Sequence, residues 1–142
     1  MRCCYHERMN DILVPVSPGE LLDKITILRI KCARIADTAK LDNVRRELSQ
    51  LERSRAQCLP AGTEIAAAIA AEEAALEQVN AQLWDIEDRI REHEARQLFD
   101  AAFVELARAV YVRNDERAAI KRRINLKLNS PLLEEKSYRP YR

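Results

Sequence analysis

Apolar residues recur at steps of three and four in four stretches of the chain, the spacing that places side chains on one face of an α-helix. Leu21, Ile25, Leu28, Cys32 and Ile35 keep that step first. Leu41, Val44, Leu48, Leu51 and Cys58 follow, with Arg55 interrupting the stripe, and Leu76, Val79, Leu83, Ile86 and Ile90 form a third. The fourth begins with Phe103, Leu106 and Val110 and resumes at Ile124 and Leu128. Proline and glycine, both costly inside helices, are confined to Pro15/Pro18/Gly19, Pro60/Gly62, Pro131 and Pro140. They leave residues 20–59 and 63–130 uninterrupted, each long enough for a helical hairpin. The pattern predicts an all-α fold: an antiparallel bundle of four helices, two hairpins joined at Pro60–Gly62, with extended N- and C-terminal segments.

Local signals place the boundaries. In Ser17-Pro18-Gly19-Glu20 the serine can cap the first helix, Glu20 can reach back to the Ser17 amide, and Pro18 suits the first helical position. That helix runs to about Ala36, and a turn at 37–40 leads into a second from Leu41 to Gln57. Thr63 caps a third helix ending near Gln97, and Asp100 caps a fourth reaching Leu128. The stretch from Ala66 to Ala75, mostly alanine and glutamate, offers shallow knobs and is either exposed or closely packed on a neighbour. Residues 11–16 (DILVPV) read as a short strand or an extended lead-in, which Pro15 limits to an edge. Residues 1–10 are expected to be a disordered tail before one helical domain over 11–142.

Composition agrees with helices: 47% hydrophobic and 33% charged residues, against 5% aromatics and 2 glycines, exclude most sandwiches and barrels. A net charge of +1 predicts no strong field for nucleic acid or an anionic membrane. The charge is uneven, however: residues 24–57 and 113–127 are basic and residues 64–94 acidic, so an acidic helix between two basic ones would neutralise itself within the bundle. No apolar run approaches a membrane span, and residues 1–8 lack a signal peptide's apolar stretch, which points to the cytoplasm. The four cysteines lack zinc or disulfide spacing and read as reduced thiols, Cys32 as a small core hydrophobe. Cys3, Cys4 and His6 could ligate a metal together, but a start at Met9 would remove them all. No metal site is assigned.

Polar residues on packing faces carry the functional signal. On the fourth helix the apolar step passes through Asn114, Arg117 and Lys121 before returning to Ile124, with Asn125 on the same side. Asn80, Trp84, Glu87 and Arg91 share a face of the third helix, and Glu20, Lys24 and Lys31 one of the first. A buried charge costs several kcal/mol unless paired, so such residues either bridge helices or face a polar cavity. In the bridging reading, Glu20, Glu87 and Asp88 offset Lys24, Arg91, Arg117 and Lys121. In the cavity reading, Lys24, Arg91, Arg117 and Lys121 hold a phosphate- or carboxylate-bearing metabolite in an interhelical cleft, Glu87 orients them, Asn114 and Asn125 add hydrogen bonds, and Trp84 and Tyr111 form flat walls. Trp84, beside Leu83 and Ile86 on the packing side of the bundle, should be largely shielded.

Catalytic motifs are sparse. No Glu-x-x-His pair of a di-metal bundle occurs, since Ile90 and Arg89 stand three and four residues before His93. Glu72, Glu73, Glu77, Asp85 and Asp88 suggest an all-carboxylate magnesium site, but Glu-Glu-x-x-x-Glu rotates the last carboxylate by about 100° from the Glu-Glu-x-x-Glu of helical pyrophosphatases. No serine or cysteine of the stripes has a histidine nearby, and no glycine-rich loop cradles a phosphate, so no cofactor is implied. Electrostatic catalysis of the helical chorismate mutase kind needs only Arg, Lys and a carboxylate, which are present.

Six segments carry a resemblance: VPVSPGELLDKITIL (14–28), NVRREL (43–48), LWDIEDRIR (83–91), FVELARAVY (103–111), NDERAAIKRRIN (114–125) and EEKSY (134–138). In order and over nearly the full length, they resemble the short bacterial proteins catalogued as domain of unknown function 6165. Membership implies a shared compact fold and brings no established activity. The family's pattern falls on Glu20, Asp23, Lys24, Lys31, Asn80, Trp84, Glu87, Asp88 and Arg91, then on Arg108, Tyr111, Asn114, Asp115, Arg117, Lys121, Asn125 and Lys136. The tail before Met9 and the alanine-rich stretch depart from it. The leading expectation is therefore a helical module binding an anionic small molecule. Its alternative is a structural or homo-oligomerising adaptor whose third helix pairs with another chain.

Overall fold

The computed structural model describes residues 10–141 and contains α1 (Pro18–Arg34), α2 (Thr38–Cys58), α3 (Glu64–Ala95) and α4 (Ala101–Lys127). Every helix opens on a side-chain cap. Ser17 Oγ accepts from the Glu20 amide at 3.2 Å, Asp37 Oδ1 from Lys40 at 2.8 Å, Thr63 Oγ1 from Ala66 at 3.2 Å and Asp100 Oδ1 from Phe103 at 3.0 Å. Each cap satisfies a donor that the helix itself cannot, worth about 1 kcal/mol. Because Asp37 is the cap, α2 starts at Thr38 rather than Leu41. The second half of the expected capping box at Ser17 is replaced, since the Glu20 carboxylate is bonded to Lys121 instead.

Consecutive helices reverse direction, giving the two hairpins α1–α2 and α3–α4, with Gly62 at φ 78° in the connection between them. α1 is central and packs on all three other helices, whereas the backbone of α2 approaches α1 alone among the described residues. The sequence explains the central place: α1 is apolar on more than one side, and Leu22, Ile25, Leu28 and Ile30 are all buried. The main core joins Leu22, Leu59, Ile69, Leu76, Val79, Ile120 and Ile124. It therefore lies toward the alanine-rich start of α3, where Ile69 is fully buried and the segment is packed on its neighbours. Further along α3, Leu83, Ile86 and Ile90 are only half-buried.

α2 is held differently. None of its residues is fully buried, and its stripe of Leu41, Val44, Leu48 and Leu51 is half-buried against α1. Arg55, the residue that breaks the stripe, reaches Glu73 on α3 at 2.5 Å, and Arg29 of α1 joins Glu52 at 2.6 Å to Glu73 at 3.2 Å. The acidic α3 thus takes cations from α1 and α2, and Glu72 takes Lys127 of α4 at 2.6 Å.

Both terminal segments are extended. Residues 11–16 form no strand, so of the two readings of DILVPV the extended lead-in is the one observed. The C-terminal segment runs back along α4, with Glu134 3.4 Å from Lys121, Glu135 3.1 Å from Arg122, and the Tyr141 hydroxyl donating to Asp115 at 2.5 Å. No helix among the described residues is long and apolar enough to cross a membrane. Cys3, Cys4, His6 and most of the expected tail lie outside the described residues.

Candidate functional site: a polar cassette between the hairpins

α1 brings Gly19, Glu20, Asp23 and Thr26 to one side, the i, i+1, i+4, i+7 positions of a single face. Opposite them stand Asn80 of α3 and Arg117, Lys121 and Asn125 of α4. Asp23 is the hub and is 1% exposed. Arg117 grips it with two parallel bonds, Nε to Oδ1 at 2.8 Å and Nη2 to Oδ2. Asn80 Nδ2 donates to Asp23 Oδ1 at 2.9 Å and to Thr26 Oγ1 at 3.0 Å, and the Thr26 hydroxyl donates to the Asp23 carbonyl at 2.9 Å. Lys121 donates to Glu20 Oε2 at 2.6 Å and lies 3.7 Å from Asp23 Oδ2. Asn125 Oδ1 accepts from the Gly19 amide at 2.8 Å, which satisfies another helix-end donor. Gly19 is required there, because a Cβ would lie 2.7 Å from the Lys121 carbonyl oxygen.

The charges are mutually satisfied. Burial pushes the Asp23 carboxyl up, but hydrogen bonds from Arg117 and Asn80 and the charges of Arg117 and Lys121 outweigh it and hold the group below the usual carboxylate range. The bond to Asp23 raises Arg117 against its own burial. Burial likewise lowers Lys121, but Glu20, Asp23 and Glu134 more than restore it. All three side chains are therefore ionised at neutral pH. The bidentate Arg–carboxylate fork is the strongest pairing geometry open to these groups.

Beside the cassette, α1, α3 and α4 enclose a cleft of about 550 Å³, lined by Ile27, Ile30 and Leu83 with Asn80, Trp84, Glu87, Asp88, Arg91, Asn114 and Arg117. It gathers Trp84, Glu87, Arg91, Asn114 and Arg117 from the anticipated set. The other four stand elsewhere. Lys24 pairs with Glu47 at 3.4 Å and lines a groove under the N-terminal segment, because it projects from α1 toward α2. Tyr111 is 42% exposed and stacks edge-on against Tyr141, their centroids 4.8 Å apart, so it forms no second wall opposite Trp84. Lys121 and Asn125 are buried on α1 and bonded there. Glu87 orients neither Arg117 nor Lys121; it bonds Arg91 one turn along α3 at 2.7 Å. Trp84 itself is half-buried rather than largely shielded, covered on one face by the Arg34 guanidinium 6.0 Å from its ring.

The acidic residues weighed as a magnesium site are dispersed: Glu72 faces Lys127, Glu73 faces Arg29 and Arg55, and Asp85 faces Arg34. Among the described residues no group of three His, Cys, Asp or Glu is gathered that could hold a metal. Cys32 is half-buried at the edge of the packing and Cys58 is exposed. Periodicity alone missed Asp23, Thr26 and Gly19. Their signal was present as a second stripe on the first helix, Gly19, Asp23, Thr26 and Ile30, also at steps of three and four. The resemblance did point to Asp23.

No curated protein and no solved structure matches this chain. The family comparison does, and it covers the cassette, both hairpins and the C-terminal segment: with residues 12–141 matched, the chain belongs to the family of unknown function DUF6165.

Proposed function

We propose that the chain is a helical structural module, an adaptor in which the polar cassette locks one hairpin onto the other in a single register. The observation that carries this reading is the burial of Asp23 at 1% exposure between Arg117 and Asn80. Cations awaiting a ligand would repel one another, whereas here each has a carboxylate of its own. Removing one partner of such a pair leaves a buried charge uncompensated, at about 3–5 kcal/mol. The test is the urea midpoint of Arg117→Met and Lys121→Met, alone and with a pool of phosphorylated metabolites. A large loss for Arg117→Met that the pool does not change supports the lock. A neutral or raised midpoint in the absence of ligand, with recovery of ligand sensitivity in the wild type, overturns it.

A second reading rests on the cleft. Arg117 uses two of its donors on Asp23 and turns its remaining edge to the same space as Trp84, Arg91 and Asn114, an arrangement suited to an anionic small molecule. Glu87 and Asp88 on the rim oppose a strongly charged dianion. A thermal-shift screen of phosphorylated metabolites tests this reading. We further place the protein in a bacterial cytoplasm, where Cys32 and Cys58 would remain the free thiols they are. The α3–α4 hairpin is read as an antiparallel coiled coil on the Leu76, Val79, Leu83, Ile86, Ile90 seam.

A further inference from the structure

The cleft between α1, α3 and α4 has a polarity along its length. Asn80 and Arg117 both bond Asp23, so they mark one level of it. Asp88 stands eight residues further along α3 than Asn80, about 12 Å of helix rise. Between these levels α3 contributes Leu83 and Trp84 to the lining, and α1 adds Ile27 and Ile30. Much of the surrounding charge is already committed. Arg117 places Nε and Nη2 on Asp23, and Arg91 is neutralised by Glu87 at 2.7 Å. The lining groups without a protein partner among the described residues include Arg117 Nη1, with the Asn114 carboxamide one turn away, and at the other end the Asp88 carboxylate.

We propose that the cleft takes an elongated zwitterion, with a carboxylate at the Arg117 end, a primary ammonium at Asp88 and an unbranched apolar chain between them against Leu83 and Trp84. The proposal deepens the reading of the cleft as a ligand site and rests on it. Charge favours this class over a phosphorylated one. Arg117 with Asp23 and Arg91 with Glu87 are neutral pairs, so Asp88 leaves the lining with a negative charge that repels a dianion and attracts an ammonium. Length selects as well. Two hydrogen bonds of about 2.8 Å within about 12 Å leave about 6 Å between the occupant's own charges, the span of about four or five methylenes. An α-amino acid holds its two charges too close to reach both ends. A plain amine would cover Arg117 Nη1 and Asn114 with an apolar chain, desolvating donors without a bond in return.

Isothermal titration of the full chain with 6-aminohexanoate, hexanoate, hexylamine and glycine tests this charge order. 6-Aminohexanoate should bind most tightly, and loss of either end group, in hexanoate or hexylamine, should weaken binding at least about tenfold, the worth of one charge-assisted hydrogen bond. Glycine should also bind more weakly. Asp88 is exposed, so Asp88→Asn should fold as the wild type does, and it should bring 6-aminohexanoate down to the affinity of hexanoate without weakening hexanoate. Asp42→Asn, at an exposed carboxylate of α2, should bind as the wild type does. Hexanoate or hexylamine binding as tightly as 6-aminohexanoate overturns the proposal, and so does undiminished binding in Asp88→Asn. Failure of 6-aminohexanoate to bind overturns it too. In each of these outcomes the reading of the cleft as a site for an anionic molecule stands if phosphorylated metabolites still raise the melting temperature, and falls as well if nothing binds.

Discussion

Asp23 shows how one residue sets a chain's internal electrostatics. Its carboxyl is held low in the folded protein, so its contribution is fully present above the unfolded value near 3.9 and is lost as pH falls below about 4 through the folded value. Lys121 has the opposite sign: held high, it contributes fully below about 10.4 and loses that contribution as pH rises further. Urea midpoints should therefore be flat in these two groups between about pH 5 and 10, and Asp23→Asn should flatten the acid limb while lowering the plateau. An acid limb identical to wild type in Asp23→Asn would contradict the assignment. Gly19→Ala is a second test, because its new Cβ would press on the Lys121 carbonyl at 2.7 Å and on Asn125 Oδ1 at 2.9 Å. Overpacking of this kind costs about 1–3 kcal/mol, more than alanine's gain of about 1 kcal/mol in helix propensity, so the melting temperature should fall. The sequence made Arg117, Lys121 and Asn125 visible as polar positions at apolar spacing. It could not show whether their partners were a ligand or Asp23, because that depends on which face of α1 meets α4.

Helix existence and caps were legible because they are local: Ser17, Thr63 and Asp100 act within three residues of themselves. Burial was less so. The second helix carries a stripe that is regular up to Arg55, yet it lies outside the core, because α1 already packs on both α3 and α4. What holds α2 in place is a half-buried stripe together with the ion pairs of Glu47 with Lys24, Glu52 with Arg29 and Arg55 with Glu73. Partly exposed ion pairs are weakened by salt, and an element without buried residues opens locally at low cost. Native-state hydrogen exchange should thus find α2 amides less protected than those of α1 and α3, with a further drop for α2 in about 1 M salt. Equal protection of α2 and α1 would show that the stripe alone suffices.

At the scale of the molecule, the cassette is the joint between the two hairpins: Gly19, Glu20 and Asp23 belong to one, and Asn80, Arg117, Lys121 and Asn125 to the other. The hydrophobic core also crosses this boundary, but aliphatic contacts tolerate small slips that a bidentate fork does not. The central claim is that Asp23 and Arg117 are energetically coupled partners of a structural lock. A double-mutant cycle of Asp23→Leu, Arg117→Met and the double variant, measured by urea unfolding, tests it most directly. Each single variant should lose about 3–5 kcal/mol, and the double variant, with both charges gone, should recover about 2 kcal/mol or more relative to additivity. Additive losses, or an Arg117→Met variant as stable as wild type, would contradict it.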